Sequence, residues 1–170
     1  LSADLEDRHR AHREALRSGE AAIAGTSTGF HDLDPLTQGL HGTDLVILAG
    51  RPAMGKSAVA MAMALAVARA RRAVGVFSLE MSAKQLVQRL LATEAMVDAQ
   101  RLRSGDLDES MHWPRVSEGL ETLARLPIYF DEAGGVTLAQ VRARAIRLKA
   151  ERPDLGLLVI DYLQLMSGVG

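Results

Sequence analysis

The stretch G-R-P-A-M-G-K-S, Gly50 to Ser57, follows a continuous apolar run, L-V-I-L-A (45–49), and precedes a segment rich in Ala, Val and Met that reaches Arg72. An apolar strand, a glycine loop of the form G-x-x-x-x-G-K-[ST] and then a helix make a phosphate cradle. Glycines reach backbone angles that other residues resist, so amide N–H groups can curl round an anion. The N-terminus of the following helix adds unpaired donors and a partial positive charge. Gly50, Arg51, Pro52, Ala53, Met54 and Gly55 form the loop. Lys56 supplies a point charge to the β- and γ-phosphates, and the Ser57 hydroxyl suits a hard ion such as Mg²⁺. The ligand class is therefore a nucleoside triphosphate.

Three more apolar runs of strand length follow: A-V-G-V-F-S-L (73–79), I-Y-F (128–130) and L-L-V-I-D (157–161). Helical segments separate them. Ser82 can cap a helix to about Ala95 that turns Leu86, Leu90 and Leu91 inward. Pro114 suits the first turn of a helix running to Arg125. Thr137 can cap a helix from Leu138 to Glu151, closed off by Pro153 and Gly156. Apolar strands alternating with helices predict an α/β fold with a mostly parallel sheet covered on both faces. Residues 25–44, dense in Gly, Thr, Asp and Pro, predict turns and loop, and residues 98–112 short helical turns. Residues 4–18 predict a helix with a narrow apolar face, Leu5, His9, His12 and Leu16, too thin for a core. It reads as a linker or partner-docking helix.

Composition removes several classes of function. With no cysteine, disulfides, Cys-zinc sites and thiol catalysis are excluded, which fits a reducing cytoplasm. No apolar run approaches ~20 residues, so no membrane span is expected. The N-terminal stretch is charged throughout and does not read as a secretory signal. A net charge of −1 gives no overall basic footprint for nucleic acid. Of the 20 basic residues only three are lysines (Lys56, Lys84 and Lys149), and one of these sits in the loop.

Hydrolysis needs more than a cradle: a carboxylate on the metal side and a group that activates water. Asp161 ends the last apolar run, at the carboxyl end of a buried strand, where ligands of open α/β sheets bind. Glu80 ends the second run on the same rim. Spacing alone leaves two readings for it, a general base or an acid stabilised by the dipole of the next helix. His9 and His12 can share a helix face, as metal ligands or as a solvated surface. The basic stretch R-A-R-A-I-R-L-K-A-E-R (142–152) can meet DNA phosphates or simply complement a helix C-terminus. Met54, Met61, Met63 and Met81 read mainly as gap-filling core, and Trp113 as packing rather than a base-stacking surface.

T-G-F-H-D-L-D, A-G-R-P-A-M-G-K-S, F-S-L-E-M-S nine residues before Arg89, and V-I-D-Y-L-Q-L-M occur in this order and spacing. Together they resemble the bacterial and phage replicative DNA helicases of the DnaB type, which have a RecA-like motor core. The resemblance runs from about Gly25 to Met166. G-L-H-G-T-D-L departs from the family's usual Gly-Leu-x-Pro-Gly-Asp-Leu turn. The resemblance implies that Lys56 and Ser57 bind nucleotide and Mg²⁺, that Glu80 is the catalytic glutamate, that Asp161 is the Walker B aspartate and that Arg89 lies near the nucleotide. It makes residues 1–24 the linker-helix region, packing on a neighbouring subunit of a hexameric ring, and residues 25–170 the N-terminal portion of the ATPase domain. It also implies single-stranded or forked DNA, a primase and a loader as partners, in a cytoplasmic replisome. DNA-binding loops, a glutamine sensor strand and an arginine finger acting in trans are expected beyond the Walker B segment, and Gln164 is not given the sensor role. These 170 residues alone are then expected to turn over little or no ATP. The alternatives are a recombinase-like or circadian-type RecA ATPase, or a nucleotide-binding assembly module without activity of its own.

Overall fold

A strand covered on both faces must be apolar along its whole length, and Ala73–Ser78 (β1) is buried at all six positions. In the computed structural model, which describes residues 23–51, 54–132 and 136–161, β1 is the centre of a parallel sheet. Ile128–Glu132 (β2) and Leu155–Asp161 (β3) flank it in the order β2-β1-β3. The helices are Asp34–Thr37 (α1), Lys56–Arg69 (α2), Ala83–Glu94 (α3), Ala99–Ser104 (α4), Trp113–Ala124 (α5) and Leu138–Glu151 (α6).

Side chains alternate across the sheet as the pleat demands. Val74, Val76, Ile128, Phe130, Leu157 and Val159 pack with Met61, Leu65, Leu86 and Leu90 of α2 and α3. Phe77 and Ile160 pack on the opposite face with Val141 and Ala145 of α6. Gly75 faces the same way, and a Cβ there would come within 2.6 Å of Leu148 Cδ2 and 2.7 Å of Leu158 Cδ2. Handedness explains this division. The chain steps from β1 to β2 in one direction and from β2 back across β1 to β3 in the other. Right-handed crossovers then require helices on opposite faces.

Local chemistry sets the helix starts. Ser82 and Thr137 each accept from the backbone N–H three residues on, and Gln85 and Gln140 complete both capping boxes. Asp98 caps α4 by accepting from the N–H groups of Gln100 and Arg101.

The run 45–49 is not a strand. Leu45 and Ile47 are 86% and 75% exposed, Val46 and Leu48 are also exposed, and none of the sheet's strands pairs with the segment. Apolar sequence favours the strand state only where a neighbour supplies hydrogen bonds and cover. Here the open edges of the sheet are those of β2 and β3, and 45–49 pairs with neither.

The loop before this run is held from within. Asp34 is buried and accepts from Ser27 Oγ (2.6 Å), Thr28 Oγ1 (2.7 Å) and Thr28 N (2.8 Å). Burial opposes its ionisation, but these bonds and one from the Gly29 N–H outweigh burial and hold the carboxyl below the ordinary aspartate value. Gly29, at φ +82°, brings the loop so close to α2 that a Cβ would lie 2.6 Å from Ala66 Cβ. The expected linker helix falls on residues outside those described, except for the last two positions of its region.

Candidate active site

The phosphate loop turns into α2 at Gly55, whose φ of +83° belongs to the left-handed region that glycine enters freely. Helices α3, α4 and α6 carry side-chain caps; α2 starts on Gly55 with none, so no side chain of its own competes for its first N–H groups. Lys56 folds back over the loop, its Nζ donating to the carbonyls of Gly50 (3.0 Å) and Arg51 (3.5 Å). Met54 N donates to Arg51 O at 3.3 Å, which closes the turn. Ser57 is half-buried one residue into the helix. Pro52 and Ala53 lie outside the described residues.

Helix α2 places this loop at a definite end of the sheet. Three residues, 70–72, join it to β1, so helix and strand run antiparallel. Fourteen residues of helix rise ~21 Å and six of strand ~20 Å, so the loop end of α2 lies level with the carboxyl end of β1. Ser78 stands in register with both Glu132 and Asp161, which puts three strand ends on that rim.

Asp161 is buried, and its Oδ2 has no hydrogen-bond partner among the described residues. An unpartnered buried carboxylate oxygen is costly unless a cation or donor meets it. A carboxylate oxygen and a hydroxyl such as that of Ser57 are both hard donors, the type Mg²⁺ selects. Glu80 is exposed, two residues beyond β1, in a loop tied to Asp161 by Leu79 N donating to Asp161 O (2.8 Å). Arg89 lines a groove of about 360 Å³ between α2 and α3, with Ala58, Met61, Leu65 and Thr93. The structure thus brings the loop, Glu80 and Asp161 to one rim and sets Arg89 farther along α3.

Other sequence expectations divide. Met61 is buried, whereas Met54 is 72% exposed beside the cradle. Trp113 is 58% exposed and does not pack as expected, because the buried residues of α5 are Val116 and Gly119. In the basic stretch, Arg144 pairs with Asp131, Arg147 with Glu151 and Arg152 with Asp154, while Lys149 donates to the carbonyls of Pro153 and Leu155. The chain itself engages most of that charge. Among the described residues no cluster of acidic and histidine side chains is spaced to hold a metal. His9, His12 and Gln164 lie outside them.

Sequence reasoning passed over Glu132, although it holds the same strand-end position as Asp161. Its carboxylate accepts from Ala83 N, the first residue of α3. It also passed over Ser78, whose hydroxyl donates to Met81 O (2.6 Å) and accepts from Met81 N (3.2 Å).

Comparison with known proteins places the chain by family and fold. The family described as DnaB-like helicase C terminal domain matches residues 25–170. Replicative DNA helicase DnaB of Nostoc sp. strain PCC 7120 is 47% identical over 156 residues, 91% of this chain and 18% of that protein. Replicative DNA helicase DnaC of Bacillus subtilis strain 168 is 42% identical over 158 residues, 92% of this chain and 34% of that protein. This chain therefore spans about a third or less of the length of these curated relatives. Among solved structures, a DnaB-like replicative helicase studied with its primase interactions superposes with a TM-score of 0.83 at 27% identity, over 97% of this chain and 40% of that one. A second solved structure, of an ATPase domain, gives the same score and identity, over 98% of this chain and 59% of that one. The fold is accordingly the RecA-like one of those two structures, and from residue 25 onward the chain belongs to the DnaB-like replicative helicase family, in its C-terminal domain.

Proposed function

We propose that this chain is the ATP-hydrolysing portion of a replicative DNA helicase motor. The observation that carries the reading is the meeting, on one rim, of a glycine loop opening an uncapped helix with a buried carboxylate oxygen that lacks a partner among the described residues. Amides of Gly50–Ser57 and the Lys56 ammonium hold the triphosphate. Ser57 and Asp161 hold Mg²⁺, which when bound neutralises phosphate charge. Glu80, exposed at the rim, orients the attacking water and takes its proton. Arg89, on the helix behind Glu80, supports the nucleotide end of the groove.

In the full-length protein these residues act at the interface between subunits of a hexameric ring, with a neighbour's arginine completing the site. Turnover drives the ring along single-stranded DNA, with a primase and a loader as partners in the cytoplasm. Backbone contacts make that binding salt-dependent. The relative whose structure was studied with primase supports the partner class. No helix among the described residues is long and apolar enough to cross a membrane.

The test is Lys56→Ala in the full-length protein, read by DNA-stimulated ATP turnover and by unwinding of a forked duplex. Loss of one preorganised charge lowers turnover by ~10²–10³. Wild-type turnover in that variant, or no unwinding by the unmodified protein, refutes the reading.

A further inference from the structure

We infer that Glu132 is a positioning residue for Glu80, acting with Ser78 through the loop that joins β1 to α3. The inference rests on the reading of Glu80 given above. Glu80 is exposed on a four-residue connection, 79–82, whose Leu79 and Met81 are half-buried against the core clusters on the two faces of the sheet. Three contacts fix it. On the β3 side, Leu79 N donates to Asp161 O at 2.8 Å. Beneath, the buried Ser78 hydroxyl donates to Met81 O and accepts from Met81 N, closing a tight turn with Glu80 at its crest. On the β2 side, the Glu132 carboxylate accepts from Ala83 N and so pins the first residue of α3.

The loop is therefore anchored to both neighbouring strands at once, with Glu80 lying in sequence between the anchored residues Leu79 and Ala83. Ser82 and Gln85 already cap α3, so Glu132 is not needed merely to start the helix. It ties that start to the end of β2, in register with Ser78. A general base works only within hydrogen-bond reach of its water, and a displacement of ~1 Å can cost as much as ~10²-fold in rate.

The experiment compares Glu132→Ala, Glu132→Asp, Glu132→Gln, Glu80→Gln and the Glu80→Gln/Glu132→Ala double variant in the full-length protein. It reads kcat and KM for ATP with saturating single-stranded DNA, and thermal melting. Glu132→Ala lowers kcat about 10-fold with KM for ATP changed by less than about twofold. Glu132→Asp keeps the charge but falls short by one methylene, and it shows a similar loss at the wild-type melting temperature. It therefore carries the test if the alanine variant melts early. Glu132→Gln keeps an acceptor oxygen and restores kcat to within about twofold. The double variant is no slower than Glu80→Gln alone, because nothing is left to position.

If Glu132→Ala and Glu132→Asp both turn over at the wild-type rate while Glu80→Gln is inactive, Glu132 does not position Glu80. Rescue by Asp but not by Gln also overturns the inference, since charge rather than this hydrogen bond then matters. Full turnover by Glu80→Gln removes the reading of Glu80 itself, and this inference with it.

Discussion

Removing the Asp34 carboxylate tests how far the loop before the phosphate cradle depends on one buried side chain. In Asp34→Ala, Ser27 Oγ, Thr28 Oγ1 and Thr28 N all lose their acceptor, and Thr28 is itself almost fully buried. Bonds to a charged acceptor contribute about 1.5–3 kcal/mol each, but the three share one carboxylate and are not additive. A loss of about 3 kcal/mol is expected. With a urea m-value of about 2 kcal/mol/M, the denaturation midpoint falls by about 1.5 M. Asp34→Asn keeps an acceptor for Thr28 and loses about half as much. pH separates charge from shape. The folded pKa of Asp34 lies below its unfolded value of about 3.9, so its ionisation contributes stability above that value. The contribution disappears as pH falls through the folded pKa. The midpoint gap between wild type and Asp34→Asn should therefore be wide at pH 7 and close below about pH 4. A midpoint for Asp34→Ala equal to wild type at pH 7, or a gap to Asp34→Asn that stays constant with pH, refutes the reasoning.

Gly55→Ala meets no atom within 4 Å, so its cost is purely that of a left-handed φ, about 1–2 kcal/mol. Calorimetry should show weakened nucleotide binding without loss of fold. Gly29→Ala combines the same backbone penalty with contact against Ala66 Cβ, which has no flexible end to yield, and thermal melting should show it more destabilised than Gly55→Ala. Arg69→Ala breaks an ion pair with Glu94 whose arginine is more than half exposed, and should cost no more than about 1 kcal/mol, shrinking further in salt. Leu45→Lys with Ile47→Lys should leave the melting temperature of this chain unchanged and reduce its self-association in sedimentation, because both side chains stand in solvent.

What the sequence made legible was whatever short-range chemistry determines. Ser82 and Thr137 announce their helices as caps, and both helices begin where those residues predict. β1 and β3 are apolar enough to be recognised without partners. The run 45–49 is equally apolar, yet its state depends on an adjacent strand, which local sequence does not encode. The glycine loop and Asp161 could be singled out because each belongs to a short motif, and the structure sets both at the same rim. Glu132 was not, because its partner Ala83 lies 49 residues away and only the parallel register of β1 and β2 brings them together. Asp34 lay inside a quoted motif, but its burial follows from the fold of the loop around it.

Helices α2 and α3 both start at the rim and run away from it side by side, and the Arg69–Glu94 pair joins their far ends. They run as two arms that touch at the far end through one partly exposed ion pair, with the Gly50–Ser57 loop at the near end of one and the Glu80 loop at the near end of the other. Over an arm of ~20 Å, a change of ~3° in the angle between them moves one near end by ~1 Å relative to the other. A small change in how α2 and α3 cross, far from the rim, would therefore change the spacing between the Gly50–Ser57 loop and Glu80.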